Sequence, residues 1–212
     1  MRRLPVYLLI DTSGSMFGEP IEAVKNGLQL LVTSLRQDPY ALETAYVSII
    51  TFSSEAKQVV PLTELSQFQI PEITASGTTA MGESLSLLAD CIQKEVLKGG
   101  VDQKGDWKPV VFMLSDGAPT DDLAKGIKAL SLVKTGAFVC CAAGQAADTS
   151  ALKQITEIVV NLDTADSNSI KSFFKWVSSS ISVSSQKIEQ GKKEVAGLDD
   201  LPPPPPEVNV VM

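Results

Sequence analysis

The sequence predicts a Rossmann-like, doubly wound α/β fold, with a mostly parallel sheet, one antiparallel edge strand and helices on both faces. Two observations support this prediction. Short, continuous apolar runs alternate along the chain with longer segments whose apolar residues recur at helical spacing. The runs are too short and too apolar for exposed strands, which favours parallel strands that are buried on both faces.

The first half of the chain shows this alternation clearly. Residues 6–10 form the first predicted strand, and residues 20–36 follow as a helix that opens with a proline. Residues 45–52 are rich in β-branched and aromatic side chains and form the second strand. Residues 56–62 are a brief strand stopped by Pro61. This pair predicts a hairpin whose second member is the antiparallel edge strand.

The second half continues the alternation after a glycine-threonine turn. The predicted elements are, in order, a helix with the buried stripe Leu85, Leu88, Ile92 and Val96, a strand at 109–114, a helix at 121–134, a strand at 137–143, a short helix at 150–155, a strand at 157–162 and a last helix with the face Ile170, Phe173, Phe174, Val177 and Ile181.

Length and composition predict one domain at residues 1–184, followed by a flexible, polar and proline-rich tail at residues 185–212. A chain of 212 residues suits a single domain with an extension. The five prolines at 202–206 predict an extended polyproline II segment. Two interpretations of this segment stay open, a ligand for a proline-recognising groove and a stiff spacer or disordered end.

Composition excludes several classes of function. The net charge of −7 argues against nucleic-acid binding, which needs a basic patch. The absence of histidine excludes zinc sites built on histidine and serine-histidine-aspartate triads. The three cysteines have no CxxC spacing and are expected to be packing residues in a reducing cytoplasm. We expect neither a transmembrane segment nor a secretory signal, since the first apolar run ends at Asp11 without a cleavage site.

Oxygen-bearing side chains begin where the first predicted strand ends. Asp11, Ser13 and Ser15 alternate along the loop, so that all three side chains can face one point. In open α/β sheets, ligands gather beyond the carboxyl ends of the strands. The simpler interpretation is a polar turn that starts the next helix, because short polar motifs often match by chance.

Two further loops carry the same kind of side chain. Thr78 and Thr79 lie in the turn before a helix, and Asp116 follows the strand at 109–114. Two neighbouring carboxylates repel each other unless a cation lies between them, and Mg²⁺ prefers oxygen ligands. We therefore predict a divalent-metal site with an open position. An acidic side chain of a partner would suit that position.

Three motifs together resemble one family. DTSGS at residues 11–15 resembles the DxSxS motif of von Willebrand factor A (vWA) domains, in which a metal-ion-dependent adhesion site (MIDAS) holds Mg²⁺ or Mn²⁺. SGTTAMGESL at 76–85 resembles the glycine-threonine loop of the family, and LSDG at 114–117 resembles its LTDG segment, with Ser115 where the family often has threonine. The resemblance covers residues 4–182.

The resemblance implies five metal-site residues, which are Asp11, Ser13, Ser15, Thr79 and Asp116. In the family, the two serines and the threonine bind the metal directly, whereas the aspartates act mostly through waters or hydrogen bonds. The spacing to Gly82 favours Thr79, and Thr78 stays the alternative.

A narrower resemblance suggests a biological setting. The SGTTAMGE segment and IKSFFKWV at residues 170–177 resemble bacterial TerY-like proteins of tellurite-resistance and stress-response clusters. This implies a cytoplasmic scaffold or adaptor, without enzyme activity, beside kinase-like or phosphatase-like proteins. A partner would supply an aspartate or glutamate to the metal. Trp176 is interpreted as a packing residue, with a partner-binding face as the alternative.

The alternative function is Mg²⁺-dependent phosphoryl transfer with Asp11 as the nucleophile. Phosphatases that use such an aspartate need a second acid two residues later to protonate the leaving group, and this chain has Ser13 there. A dinucleotide enzyme is less favoured, because no GxGxxG follows the first strand.

Overall fold

The computed structural model describes residues 2–100, 104–191 and 194–211. The limits of the predicted domain and tail at residues 1 and 212 lie outside these ranges. Within them, the chain forms seven strands: β1 (Leu4–Asp11), β2 (Ala45–Phe52), β3 (Ala56–Glu64), β4 (Val110–Ser115), β5 (Phe138–Ala143), β6 (Ile158–Leu162) and β7 (Asn209–Val210). They make one sheet in the order β3-β2-β1-β4-β5-β6-β7.

Helices cover both faces of this sheet. Their bounds are α1 (Glu19–Arg36), α2 (Pro39–Thr44), α3 (Met81–Glu95), α4 (Leu123–Leu130), α5 (Thr149–Ile155) and α6 (Ser167–Gly191). Alternate residues of β1 divide the core in two, because Leu8 packs with α1 and α6 whereas Leu9 packs with α3. None of the helices among the described residues combines the length and apolarity needed to cross a lipid bilayer.

The sheet reverses its winding direction at β1. β1 pairs in parallel with β2 on one side and with β4 on the other, and Ile10 lies opposite Leu114. The carboxyl ends of β1 and β4 are therefore neighbours at a topological switch point, the usual place of a ligand site in such folds. Asp11 and the loop that follows Ser115 meet there.

The predicted fold class is confirmed, including the antiparallel hairpin of β2 and β3 at one sheet edge. Pro61 does not end β3, which continues to Glu64. The pairing register shifts between Val47 and Ile49, and such a bulge accommodates a residue without a backbone N–H. The short helix α2 was missed; its start is capped by Asp38, which accepts hydrogen bonds from two backbone N–H groups. As predicted, the three cysteines are buried packing residues, and their thiols are free.

The last helix crosses the predicted domain limit at residue 184, and the flexibility of the tail stays a prediction. α6 continues to Gly191. Beyond it, the described residues 194–211 pack against the domain and bury Val195, Leu201 and Val208. These apolar side chains are isolated among polar residues and prolines. The local composition therefore does not predict that the segment packs on the core.

Two further contacts hold the segment in place. The indole Nε1 of Trp176 donates a hydrogen bond to the Pro202 carbonyl oxygen at 2.8 Å, which joins α6 to the start of the proline run. β7 then pairs antiparallel with β6, with Val210 opposite Val160. A second antiparallel edge strand, which the sequence did not predict, therefore covers the far edge of the sheet.

The docked segment predicts different effects for two neighbouring valines. Val208→Ser should lower the free energy of unfolding by about 1.5–3 kcal/mol, because it removes a fully buried aliphatic side chain. Val210 is 42% exposed, so Val210→Ser should change it by no more than about 0.5 kcal/mol. Urea unfolding of both variants measures the difference. Equal effects would mean that the segment is mobile in solution.

Candidate metal centre

Three loops meet at the carboxyl edge of the sheet: residues 12–18 after β1, residues 76–80 before α3 and residues 116–122 after β4. Two backbone hydrogen bonds join the first two loops, from Gly14 N to Gly77 O at 2.9 Å and from Ser76 N to Thr12 O at 2.8 Å. Gly77 has a φ of +77°, and a Cβ there would lie 2.3 Å from Ser54 Oγ, so that only glycine fits.

Asp11 is completely buried at the floor of this site. Its Oδ1 accepts a hydrogen bond from Ser13 N at 2.8 Å, and its Oδ2 accepts one from Ser115 Oγ at 2.6 Å. The first bond fixes the turn that carries the two serines, and the second ties β1 to the end of β4. Asp11 therefore positions the loops. Its oxygens do not point freely into solvent.

A chain of hydrogen bonds leads outward from this floor. Ser13 Oγ lies 2.9 Å from Ser15 Oγ, and Ser15 Oγ donates to Asp116 Oδ1 at 2.7 Å. Ser13 and Asp116 are buried, whereas Ser15 is exposed. Two hydroxyls and a carboxylate from separate loops are thus collected at one point that opens to solvent at Ser15.

The glycine-threonine loop places its two threonines differently. Thr79 is buried; its N–H donates to Thr120 Oγ1 at 3.0 Å, and its carbonyl oxygen accepts from Thr120 N at 2.9 Å. Its hydroxyl faces the loop after β4, because a Cβ on Gly117 would lie 3.5 Å from Thr79 Oγ1. Thr78 is exposed, and its N–H donates to Ser54 Oγ instead. The geometry favours Thr79 as the site residue.

The structure thus links four of the predicted site residues, Asp11, Ser13, Ser15 and Asp116, in one network, and it places Thr79 on the adjoining loop. Sequence reasoning missed the groups that hold this loop. Besides Thr120, the carboxylate of Asp121 accepts hydrogen bonds from the N–H groups of Gly82 and Glu83 at 2.9 and 2.7 Å. The polar run Thr120-Asp121-Asp122 was the available signal.

Burial shapes the electrostatics of both carboxyl groups. It raises the pKa of Asp11, against the opposing effect of the hydrogen bonds from Ser115 and Ser13, and the nearby charge of Asp116 raises it further. Burial also raises the pKa of Asp116, which the hydrogen bond from Ser15 counteracts. The charged form of both groups is therefore less favourable in the folded site than in water, and a nearby positive charge would stabilise it. A cation would supply that charge.

The donor set suits a hard cation. It consists of hydroxyl and carboxylate oxygens, the ligands that Mg²⁺ and Mn²⁺ prefer. Within the part of the chain that the structure describes, no group of three or more histidine, cysteine, aspartate or glutamate side chains is arranged to hold a metal. A cation here would therefore depend on the serine and threonine hydroxyls as well as on the two aspartates.

Comparisons with known proteins agree with this architecture. The sequence profile described as von Willebrand factor type A domain matches residues 6–191. Among curated proteins, the uncharacterized protein sll0103 of Synechocystis sp. is 33% identical over 123 residues, which are 55% of this chain and 26% of that protein. The chain spans about a quarter of the length of this relative.

Two solved structures share the fold. The von Willebrand factor type A structure from Catenulispora acidiphila superposes with a TM-score of 0.63 at 18% identity and covers 85% of this chain and 43% of that one. The pilus adhesin SpaC from Lactobacillus rhamnosus GG gives a TM-score of 0.68 at 15% identity and covers 86% and 30%. Fold, profile and loop geometry lead to one conclusion. This chain belongs to the von Willebrand factor type A domain family.

Proposed function

We propose that this domain is a metal-dependent protein-binding module with a MIDAS, in which Mg²⁺ or Mn²⁺ accepts an aspartate or glutamate side chain of a partner. The observation that carries the proposal is the hydrogen-bonded chain from Ser13 through Ser15 to Asp116. It brings together oxygen atoms of Ser15 and Asp116, which lie in different loops and are 101 residues apart in the sequence.

The residues of the site divide into two roles. Ser13, Ser15 and Thr79 would hold the metal through neutral hydroxyl oxygens. Asp11 would act indirectly, because its two oxygens already accept hydrogen bonds from Ser13 N and Ser115 Oγ. Asp116 would compensate the positive charge through waters or through the hydroxyl of Ser15. With few formal negative charges around it, the metal would keep its affinity for a carboxylate from outside.

The alternative, phosphoryl transfer through Asp11, has less support. A nucleophilic carboxylate needs an oxygen that can reach the phosphorus atom. Asp11 is 0% exposed, and each of its oxygens accepts a hydrogen bond. Ser13 also takes the place where such enzymes carry their acid. We therefore propose a binding module without enzyme activity.

For the biological setting, we propose a cytoplasmic scaffold or adaptor in a bacterial tellurite-resistance or stress-response system. The resemblance of residues 170–177 and of the glycine-threonine loop to TerY-like proteins supports this setting. The partners would be kinase-like or phosphatase-like proteins of the same system. The fold shared with a pilus adhesin supports the use of the domain for protein binding.

Affinity capture from a bacterial extract tests the partner role. We expect proteins that bind the wild-type chain in Mg²⁺ to be lost in the presence of a chelator. They should also be lost with Ser13→Ala, which removes a hydroxyl but keeps the backbone N–H that bonds to Asp11. Partners that persist under both conditions would contradict a role of the metal in binding.

The two adjacent threonines provide a matched test of the metal site. Thr79→Ala should weaken Mg²⁺ binding by about 10-fold or more, comparable to the loss when a group that supports a metal ligand is removed. Thr78→Ala should leave it unchanged, because Thr78 is exposed and faces Ser54. Isothermal titration calorimetry measures both. Equal affinities for the two variants would exclude Thr79 as a ligand.

The pKa shifts predict a metal-dependent effect of pH on stability. A carboxyl group whose pKa is raised by folding stabilises the fold below its ordinary pKa, and this contribution is lost as pH rises through the raised value. Asp116→Asn removes one such titration and keeps an oxygen that can accept the Ser15 hydrogen bond. In the presence of a chelator, the free energy of unfolding of the wild type should therefore fall relative to that of Asp116→Asn as the pH rises above about 4.

Urea unfolding at a series of pH values measures this difference. Mg²⁺ should stabilise the wild type at neutral pH by binding the folded state, and it should stabilise Asp116→Asn less. A stability difference that does not vary with pH in chelator would show that Asp116 titrates normally in the folded protein.

A further inference from the structure

An aromatic side chain stands exposed beside the candidate metal centre. Among the described residues, five large hydrophobic side chains are exposed: Phe17, Leu132, Leu97, Val210 and Ile70. Phe17 is the most exposed of these, at 77%, and is the single aromatic one. Single exposed hydrophobic residues are common on protein surfaces. The position of Phe17 and the turn that holds it outward indicate a role in binding.

Its backbone holds Phe17 outward. Gly14–Met16 form a single 3-10 turn, which closes with a hydrogen bond from Phe17 N to Gly14 O at 3.2 Å. Met16 is completely buried and anchors the turn in the core. On the other side, Gly18 has a φ of +89°, a conformation that side-chain-bearing residues rarely adopt. The exposure of Phe17 therefore results from a defined turn.

Phe17 also lies close to the open side of the site. Ser15 is the exposed member of the hydroxyl chain. Only Met16 separates it from Phe17, so that the Cα atoms of Ser15 and Phe17 are at most about 7 Å apart. A partner side chain that reaches a metal beside Ser15 would bring its neighbouring residues over the Phe17 ring. An apolar partner residue next to the acidic one would bury the Phe17 ring, whereas a polar residue would leave the ring exposed to solvent.

The negative charge of the chain also limits how many acidic residues a partner segment can carry. The chain carries a net charge of −7, and Glu19 is exposed two residues after Phe17. A segment with several carboxylates would be repelled, whereas one carboxylate could bind a metal that compensates it. The most suitable segment thus has a single acidic residue with an apolar neighbour.

We propose that Phe17 and the metal centre form one recognition surface, which selects partner segments with an apolar side chain next to the aspartate or glutamate that binds the metal. This inference rests on the proposed function and adds a specificity that the metal alone lacks. The metal alone would select only for an acidic side chain on the partner. Contact with Phe17 would also select for the residues beside that side chain.

The test uses a displayed peptide library with a fixed central aspartate or glutamate and random flanking residues, selected on the full chain in Mg²⁺. The wild type should enrich apolar residues next to the acid. Phe17→Ser should lower the recovery of these peptides by about 10-fold to 100-fold, the loss expected when a buried phenylalanine contact is removed. Phe17→Leu should retain the preference. Leu132→Ser is the matched control, because Leu132 is 75% exposed and follows α4 at the opposite end of the sheet.

The outcomes separate the two proposals. If wild type and Phe17→Ser enrich the same Mg²⁺-dependent acidic peptides, the role of Phe17 is wrong, and the metal-dependent module stands. If Leu132→Ser loses the preference as strongly as Phe17→Ser, the contact lies elsewhere and the inference is also overturned. If no selection by the wild type depends on Mg²⁺, the proposed function itself fails, and the inference fails with it.

Discussion

The buried carboxylate of Asp11 is the interaction on which the arrangement of the site depends. A charge placed beyond the last pair of apolar residues of β1 and β4 loses its hydration, which costs free energy unless donors replace the water. The backbone N–H of Ser13 and the hydroxyl of Ser115 replace it. The same two bonds shape the serine turn and align it with the loop that carries Asp116. The polar network at the sheet edge is thus built outward from one buried group.

Local patterns predicted most of the fold and the candidate site residues. Parallel strands are continuous apolar runs, and the residues after them are placed by the rule that strand ends meet at one edge, so that Asp11 and Asp116 could be paired from the sequence. Long-range packing was not predictable in this way. Val208 is buried in a core cluster that also contains residues of α6 and β6, and no periodicity in the proline-rich segment reveals this. The support of Thr79 by Thr120 likewise joins loops that are distant in sequence.

The carboxylates of this site lower the stability of the fold, although they suit the binding of a cation. Burial raises the pKa values of Asp11 and Asp116, so that each carboxylate is less stable folded and charged than it would be in water. Such strain is expected where residues are retained for a ligand. The proposed metal would relieve it, and the exposed Phe17 would direct the metal toward particular partner segments.

We propose that the three loops at the carboxyl edge of the sheet form one cation site. The most direct test is a crystal structure of the chain grown with Mn²⁺, with an anomalous difference map collected near the manganese absorption edge. We expect a single strong peak within about 2.0–2.3 Å of the Ser13, Ser15 and Thr79 hydroxyl oxygens, the range between Mg²⁺–oxygen and Ca²⁺–oxygen distances. A peak at another carboxylate cluster, or no peak between these three residues at saturating Mn²⁺, would contradict it.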